Sequence, residues 1–160
     1  MKVKVTPSKV HGNVKIPASK SMAHRALICA SLSDGTSIVS NVTNSKDIEA
    51  TVGCMKALGA IIKQIDETTY EVTGTNLFKQ EGNITCNANE SGSTLRFLIP
   101  LAACTNAKVK FLGQGRLLQR PMDVYENEFK EQNIEFNQSD KEIIVSGNLQ
   151  AKDYVVQGDI

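Results

Sequence analysis

The chain has 160 residues, of which 41% are hydrophobic and 22% charged, and its 18 basic residues nearly balance 17 acidic ones. These values are typical of a globular protein with one domain or slightly more, and a net charge of +1 provides no general attraction to nucleic acids or anionic lipids. No apolar run approaches the roughly 20 residues of a membrane helix, and residues 1–10 lack the apolar core of a secretory signal. We therefore expect a cytoplasmic protein with neither membrane nor nucleic-acid partners.

The four cysteines contain no C-x-x-C pair and no spacing typical of metal ligands. Each is flanked mainly by apolar or small residues, which predicts small buried side chains in a reducing compartment. The cysteines in question are Cys29, Cys54, Cys86 and Cys104. No metal site is predicted.

The first predicted elements are a short strand from residue 14 and a helix over residues 22–31, joined by a Ser-Lys-Ser turn. The helix is apolar almost all round, which predicts burial on several sides. A helix N-terminus carries positive partial charge, so the amides of residues 20–22, Lys20 and Arg25 together predict a cradle for an anion. Ser21 adds a hydroxyl, whereas His24 is interpreted as structural.

A β-rich stretch at residues 36–42 and a second helix over residues 47–58 follow, with Asp47 as the predicted N-cap. The helix has one apolar face, which predicts that it covers a sheet. A strand pair then ends in Y-E-V-T-G at residues 70–74. These elements complete a β-α-β-α-β-β unit.

The second half of the chain repeats this order. A strand from residue 84 enters a Ser-Gly-Ser turn and a helix over residues 94–104, which Pro100 is expected to bend. Another helix, with Pro121 predicted at its first position, precedes a strand pair ending in I-I-V-S-G, 73 residues after the first such ending (147 minus 74). The predicted fold class is α/β, built of repeated β-α-β-α-β-β units.

The repeat suggests a domain organisation. Residues 1–13 form an N-terminal strand, residues 14–82 and 83–150 form two units, and residues 151–160 begin a third unit with a strand from Tyr154. A lone first strand would lack a hydrogen-bonding partner, so the sequence predicts a fragment of a longer protein. A closing edge strand is the alternative.

Only four of the 18 basic residues are arginines, and all lie near three candidate anion-binding segments. Arg25 follows the first turn, Arg96 follows the Ser-Gly-Ser turn that contains Gly92 and Ser93, and Arg116 and Arg120 lie in the glycine-containing segment 113–121. Arginine binds carboxylate and phosphate oxygens in a bidentate manner. The third segment is predicted to be mobile enough to close on an anion.

Three motifs together resemble the 3-phosphoshikimate 1-carboxyvinyltransferase (EPSP synthase) family. They are A-S-K-S-M-A-H-R-A-L at residues 18–27, N-E-S-G-S-T-L-R at residues 89–96 and G-R-L-L-Q-R-P at residues 115–121. The resemblance implies an enolpyruvyltransferase fold, an inside-out α/β barrel of two lobes with three units each. This chain would supply an incomplete first lobe, and residues 1–13 would join the missing second lobe.

The resemblance also implies the chemistry. The family transfers the enolpyruvyl group of phosphoenolpyruvate to the 5-hydroxyl of shikimate 3-phosphate in aromatic amino-acid biosynthesis, with release of phosphate and without a metal or organic cofactor. By position, Lys20, Ser21 and Arg25 would bind shikimate 3-phosphate, and Lys20, Gly92 and Arg120 would bind phosphoenolpyruvate. A further set, Asp47, Ser93 and Arg96, would lie near the site.

The chain departs from commoner family patterns at Glu90, Ser93 and Phe97, which leaves its sensitivity to inhibitors such as glyphosate open. UDP-N-acetylglucosamine enolpyruvyltransferase is an alternative, although Lys20 is followed by Ser21 rather than Asn and segment 113–121 has no Cys. A third hypothesis is a non-catalytic half-lobe that binds anions. We expect the isolated chain to bind substrate weakly and not to turn over.

Overall fold

The computed structural model describes residues 2–9, 11–14 and 16–155. These residues form four helices and seven strands, together with one-turn 3-10 helices at Leu77–Lys79 and Leu117–Gln119. The helices are α1 (Lys20–Leu32), α2 (Lys46–Ala57), α3 (Gly92–Ala102) and α4 (Asp123–Glu131). The strands are β1 (Thr36–Val39), β2 (Ile61–Gln64), β3 (Tyr70–Thr73), β4 (Glu81–Asn87), β5 (Asn106–Leu112), β6 (Glu135–Gln138) and β7 (Ile143–Ser146).

The strands form two sheets with matching order. One sheet is β1-β3-β2, and the other is β4-β5-β7-β6. In each sheet a hairpin, β2-β3 or β6-β7, places its second strand antiparallel to the strand that follows the first helix of the unit. The second sheet adds β4, which runs parallel to β5. The two halves of the chain therefore share the strand order that a repeat predicts.

The central strands bury equivalent side chains. Tyr70 and Val72 of β3 face the core, as do Ile143 and Val145 of β7, because alternate residues of a strand point to the same face. Helix α2 packs on β2 of the first sheet, on β4 of the second and on α3. One helix therefore joins the two units in a common core.

One prediction about the start of the first unit differs from the structure. Residues 14 and 16–19 form no strand, Val14 and Ile16 are exposed, and β1 has no second partner among the described residues. A strand forms only where its backbone groups find a partner, and β4 finds one in β5. Residues 2–9 and 11–13 are also exposed and without strand structure, so their pairing with another lobe stays a prediction.

The predicted limits of the units remain predictions. Strand β4 begins at Glu81, shortly before the predicted start of the second unit at residue 83. Residues 151–155 contain no strand, and the rest of the predicted third-unit strand, residues 156–160, lies outside the described residues.

Helix α1 is less buried than its apolar sequence predicts. Leu27 and Ile28 face the core, but Met22, Ala26 and Cys29 are exposed. The two units present here cover only one side of α1, through β1, β3, α2 and α3. The prediction of four buried cysteines is therefore wrong, because Cys29 is exposed and Cys104 is only half-buried. No helix in the described part of the chain is long and apolar enough to cross a membrane.

Pro100 lies inside α3, two residues before its end. Proline has no N–H, so it leaves the carbonyl of Arg96, four residues earlier, without its helical partner. The Tyr125 hydroxyl of α4 donates to this carbonyl at 3.0 Å, and burial raises the pKa of Tyr125. On the same helix, Phe129 packs edge-on against Phe136 of β6, with ring centroids 5.8 Å apart. Thus α4 is attached both to its sheet and to α3.

We expect Tyr125→Phe to lower the free energy of unfolding by roughly 1 kcal/mol, because the Arg96 carbonyl loses its donor. Urea denaturation measures the loss. The matched control is the same substitution in a Pro100→Ala background, where the restored N–H of residue 100 can bond to this carbonyl. Equal losses in the two backgrounds would contradict the assigned role of the hydroxyl.

Candidate anion-binding site

Three helices begin around one open cleft of about 390 Å³. Its lining residues come from the first turns of α1 and α2, from the first two turns of α3, from the loop before α3 and from segment 113–121. They are Lys20, Asp47, Glu90, Gly92, Ser93, Arg96, Phe97 and Arg120. The lining thus holds three cations and two carboxylates, and the positive ends of three helix dipoles add to the attraction for an anion.

Serine N-caps begin all three helices. Ser19 accepts from the amide of Met22 at 3.4 Å, and Ser91 accepts from the amide of Thr94 at 3.2 Å. The prediction that Asp47 caps α2 is wrong, because Ser45 occupies that position and accepts from the amide of residue 48 at 3.3 Å. Asp47 instead lies in the first turn, where its carboxylate faces the cleft.

Lys20 and Asp47 form an ion pair across the cleft, with Nζ and Oδ2 2.6 Å apart. The lysine side chain is 55% exposed and the aspartate side chain 31%, so water and salt screen the pair and its contribution to stability is small. An incoming anion can therefore compete with Asp47 for the ammonium group. Asp47 holds Lys20 in place without burying it.

Arg25 lies next to the cleft but does not line it. Its Nη1 donates to the carbonyl of Ser21 at 2.9 Å, and its guanidinium lies 4.9 Å from the centroid of the Phe97 ring. The hydroxyl of Ser21 is likewise outside the lining. Phe97 does line the cleft, so Arg25 is connected to it by a cation–π contact.

Arg120 packs directly against Gly92. A Cβ at residue 92 would collide with Nη1 of Arg120, which explains why the first residue of α3 has no side chain. None of the ion pairs within the described residues involves Arg120. Its guanidinium is therefore available to a ligand at the N-terminus of α3.

The segment that carries Arg120 is anchored at several points, although its glycines predict mobility. Leu117 and Leu118 are buried, and the Gln138 side-chain amide of β6 donates to the carbonyls of Leu118 at 2.6 Å and Arg120 at 2.9 Å. At the other end, the amide of Gln114 donates to the carbonyl of residue 89 at 2.6 Å. These contacts fix Arg120 over the cleft.

Glu90 and Gly115 meet where the two loops touch. Gly115 has φ of 59°, and a Cβ there would lie 2.5 Å from Oε1 of Glu90. Glu90 and Asp47 also line a neighbouring cleft of about 420 Å³ with Glu49. The site is therefore positive at the helix ends and negative on the adjoining side.

A chain of buried hydroxyls lies beneath the cleft. His24 Nδ1 is 2.7 Å from Oγ1 of Thr51, which is 2.7 Å from Oγ1 of Thr94. Thr94 is also 2.7 Å from Oγ of Ser91 and 3.2 Å from the carbonyl oxygen of Asp47. At most 2% of the surface of His24, Thr51, Thr94 or Ser91 is exposed. This hydrogen-bonded network of side chains connects α1, α2 and α3.

The surroundings of His24 favour its neutral form. Burial is the main reason that its pKa is lowered, and the charges of Lys20 and Arg25 act in the same direction, against the opposing effect of Asp47. Its Nε2 atom is buried and has no hydrogen-bond partner among the described residues. The interpretation of His24 as structural thus places it correctly in the core but overlooks its position below the site.

Of the eight predicted site residues, six line one cleft: Lys20, Asp47, Gly92, Ser93, Arg96 and Arg120. Ser21 and Arg25 are adjacent to it, and Arg116 of the third segment is not among its lining residues. Sequence reasoning missed Gln138 and Thr51. Their partners are distant in sequence, so no local pattern identifies them. Within the described residues, no group of three or more His, Cys, Asp or Glu side chains is arranged to hold a metal ion.

Comparisons with known proteins point to one family. The family model described as EPSP synthase (3-phosphoshikimate 1-carboxyvinyltransferase) matches residues 4–160. Proteins named 3-phosphoshikimate 1-carboxyvinyltransferase from Clostridium perfringens (strain SM101 / Type A) and Clostridium kluyveri are each 45% identical over 99% of the chain. The chain spans 38% and 37% of the length of these two relatives.

A solved structure of EPSP synthase from Acinetobacter baumannii superposes with a TM-score of 0.76, covering 89% of this chain and 33% of its own. The two sequences are 18% identical, so the match bears on the fold alone. It confirms the predicted fold class.

The lowered pKa of His24 predicts a pH-dependent stability. The unfolded chain binds a proton on this residue below its ordinary pKa of 6.5, whereas the folded chain does so only at lower pH. The free energy of unfolding should therefore fall as the pH drops below 6.5. We expect His24→Asn to reduce this slope in urea denaturation curves, and His11→Asn, at the exposed second histidine, to retain it. Identical slopes for all three proteins would contradict this account.

Gly92→Ala should displace the Arg120 guanidinium, because the added Cβ occupies its position. We expect a changed NMR signal for the Arg120 Nε–H group. Gly53→Ala is the matched control, since nothing lies within 4 Å of a Cβ at that position in α2. It should leave the Arg120 signal unchanged and slightly stabilise the helix. An unchanged Arg120 signal in Gly92→Ala would refute the close packing.

Proposed function

Because the chain belongs to the EPSP synthase (3-phosphoshikimate 1-carboxyvinyltransferase) family, we propose that its protein transfers the enolpyruvyl group of phosphoenolpyruvate to the 5-hydroxyl of shikimate 3-phosphate. The hydroxyl adds to C2 of phosphoenolpyruvate while C3 gains a proton, which forms a tetrahedral intermediate. Loss of a proton from C3 and of inorganic phosphate from C2 then restores the double bond. A cytoplasmic location is part of this proposal.

The observation that carries the proposal is the convergence of Lys20, Arg96 and Arg120 on three helix N-termini in one cleft. Both substrates are polyanions, so their binding requires preorganised cations and amide donors. Lys20 is proposed to contact both substrates, with Arg120 and the backbone of Gly92 binding phosphoenolpyruvate. An anion that displaces Asp47 from Lys20 would find the ammonium group already oriented.

Ser21 and Arg25 are proposed to bind shikimate 3-phosphate. They flank the cleft on α1, and the contact of Arg25 with Phe97 directs its guanidinium toward α3. Asp47, Ser93 and Arg96 are proposed to support the site from the N-terminal ends of α2 and α3. Their spatial grouping supports these assignments, which were made from sequence motifs.

We further propose that the 160-residue chain alone binds substrate weakly and does not turn over. The carboxylates that line its cleft are Asp47, which is paired with Lys20, and Glu90. The family resemblance assigns the acid–base carboxylates and further phosphoenolpyruvate-binding arginines to the second lobe, and the chain spans 38% of its relative's length. A coupled phosphate-release assay tests this part, and turnover by the purified chain would overturn it.

Arg120→Lys is expected to weaken phosphoenolpyruvate binding by about tenfold, because lysine cannot make a bidentate contact with a carboxylate or phosphate group. NMR titration of the chain, in the presence of shikimate 3-phosphate, measures the affinity. Arg116→Lys is the matched control in the same segment, and its affinity should equal that of the wild type. Equal weakening by both variants, or wild-type shifts scattered away from the cleft, would count against the proposed site.

A further inference from the structure

Each residue of the buried hydroxyl network lies close to a residue that lines the cleft on the same helix. His24 lies four residues after Lys20 on α1, and Thr51 lies four residues after Asp47 on α2. Residues four apart on a helix share a face, so each network residue lies one turn below a cleft residue. Thr94 is in the first turn of α3, next to Ser93. The hydroxyl network thus lies directly below the cleft and connects the N-terminal ends of the three helices.

The hydrogen positions in this chain follow from the burial of His24. We assign the ring hydrogen to Nδ1, which then donates to Thr51, because a buried N–H at Nε2 without an acceptor is less favourable than a nitrogen lone pair there without a donor. Thr51 is then free to donate to Thr94, and Thr94 to the Asp47 carbonyl or to Ser91. Each donor in this network therefore points away from α1, toward the first turns of α2 and α3.

Stability alone does not account for an imidazole at this place. Its Nε2 has no partner in the part of the chain that the structure describes, and a buried unsatisfied polar atom is unfavourable. A leucine of similar size would avoid this loss. What the imidazole supplies is a directional contact between helices. Apolar packing holds helices together without fixing their axial register as sharply as hydrogen bonds between fixed atoms do.

We propose that His24 is a positioning residue that, acting through Thr51 and Thr94, fixes the N-terminus of α1 relative to those of α2 and α3. It thereby sets the separation between Lys20 on one side of the cleft and Gly92 with Arg120 on the other. This inference deepens the proposed function and rests on it. The groups that face His24 from the surrounding elements are Lys20, Arg25 and Asp47, and none of them bonds to its ring.

The test uses the 160-residue chain and two substitutions at the middle of the network. Thr51→Val removes the hydroxyl and preserves the shape, whereas Thr51→Ser keeps the hydroxyl. Thr105→Val is the control, because Thr105 is equally buried and its hydroxyl donates to the Ala102 carbonyl at 2.7 Å, at the opposite end of α3. Both valine variants lose a buried hydroxyl, so a purely structural role affects them alike.

The first measurement needs no ligand. We expect Thr51→Val to shift the amide signals of Gly92 and Ser93 and the carboxyl carbon signal of Asp47, and Thr51→Ser and Thr105→Val to leave them close to wild type. Long-range nitrogen–proton correlation should show hydrogen on Nδ1 of His24 in the wild type. Unshifted cleft signals in Thr51→Val, or hydrogen on Nε2, would overturn the proposal.

The second measurement is the affinity for phosphoenolpyruvate in the presence of shikimate 3-phosphate. Thr51→Val should weaken binding by about tenfold, comparable to the loss of one good hydrogen bond, while Thr51→Ser and Thr105→Val retain wild-type affinity. Wild-type affinity in Thr51→Val, combined with a melting temperature as low as that of Thr105→Val, would overturn the positioning role. Should the wild type bind no substrate, the proposed function fails, and the cleft signals alone decide the positioning role.

Discussion

The site depends on bringing the N-termini of three helices to one place. Aligned peptide dipoles give each end a positive partial charge, and like charges repel each other at short range. Asp47 in the first turn of α2 and Glu90 before α3 place negative charge among them. The serine N-caps satisfy amides that would otherwise remain unpaired, and buried hydroxyls link the first turns. The positive electrostatic potential at the helix ends is therefore established when the protein folds.

The cleft also lies between the two repeat units. Lys20 and Asp47 come from the first unit, and Gly92, Arg96 and Arg120 come from the second. Neither unit has the full set of cations. Helix α2 packs against both sheets, so the relative placement of the units is part of the common core and is not left to a flexible linker. The cleft thus forms at the boundary between the two units, and neither unit alone has all of its lining residues.

Helices and strands with a strong hydrophobic periodicity could be predicted from the sequence. Contacts between residues that are far apart in the sequence could not. The hairpins ending near Gly74 and Gly147 and the amphipathic helix α2 have the predicted type and approximate place. The strand predicted from residue 14 does not form. Alternating apolar residues predict which side of a strand would be buried, but a strand also needs a neighbouring strand for its backbone hydrogen bonds. Ser45 rather than Asp47 caps α2, since both residue types are good caps and the sequence alone does not separate them.

The candidate site follows the same division. Motifs identify the six predicted residues that line the cleft, because each motif is local and lies at a turn that opens a helix. The contacts of Gln138 with segment 113–121 and of Tyr125 with the Arg96 carbonyl join residues 18 to 29 positions apart. Pro100 is a sequence signal that a carbonyl needs another donor, but it does not indicate which side chain provides it.

The free edge of β1 has a consequence for handling the protein. Its outer backbone groups face no strand within the described residues, and Ile38 of β1 is 59% exposed. An open edge beside an apolar side chain is a template for strand addition by a neighbouring molecule. Association through β1 would grow with concentration and would occur on the sheet, away from the cleft. Light scattering across a dilution series therefore separates self-association from ligand effects in any titration of this chain.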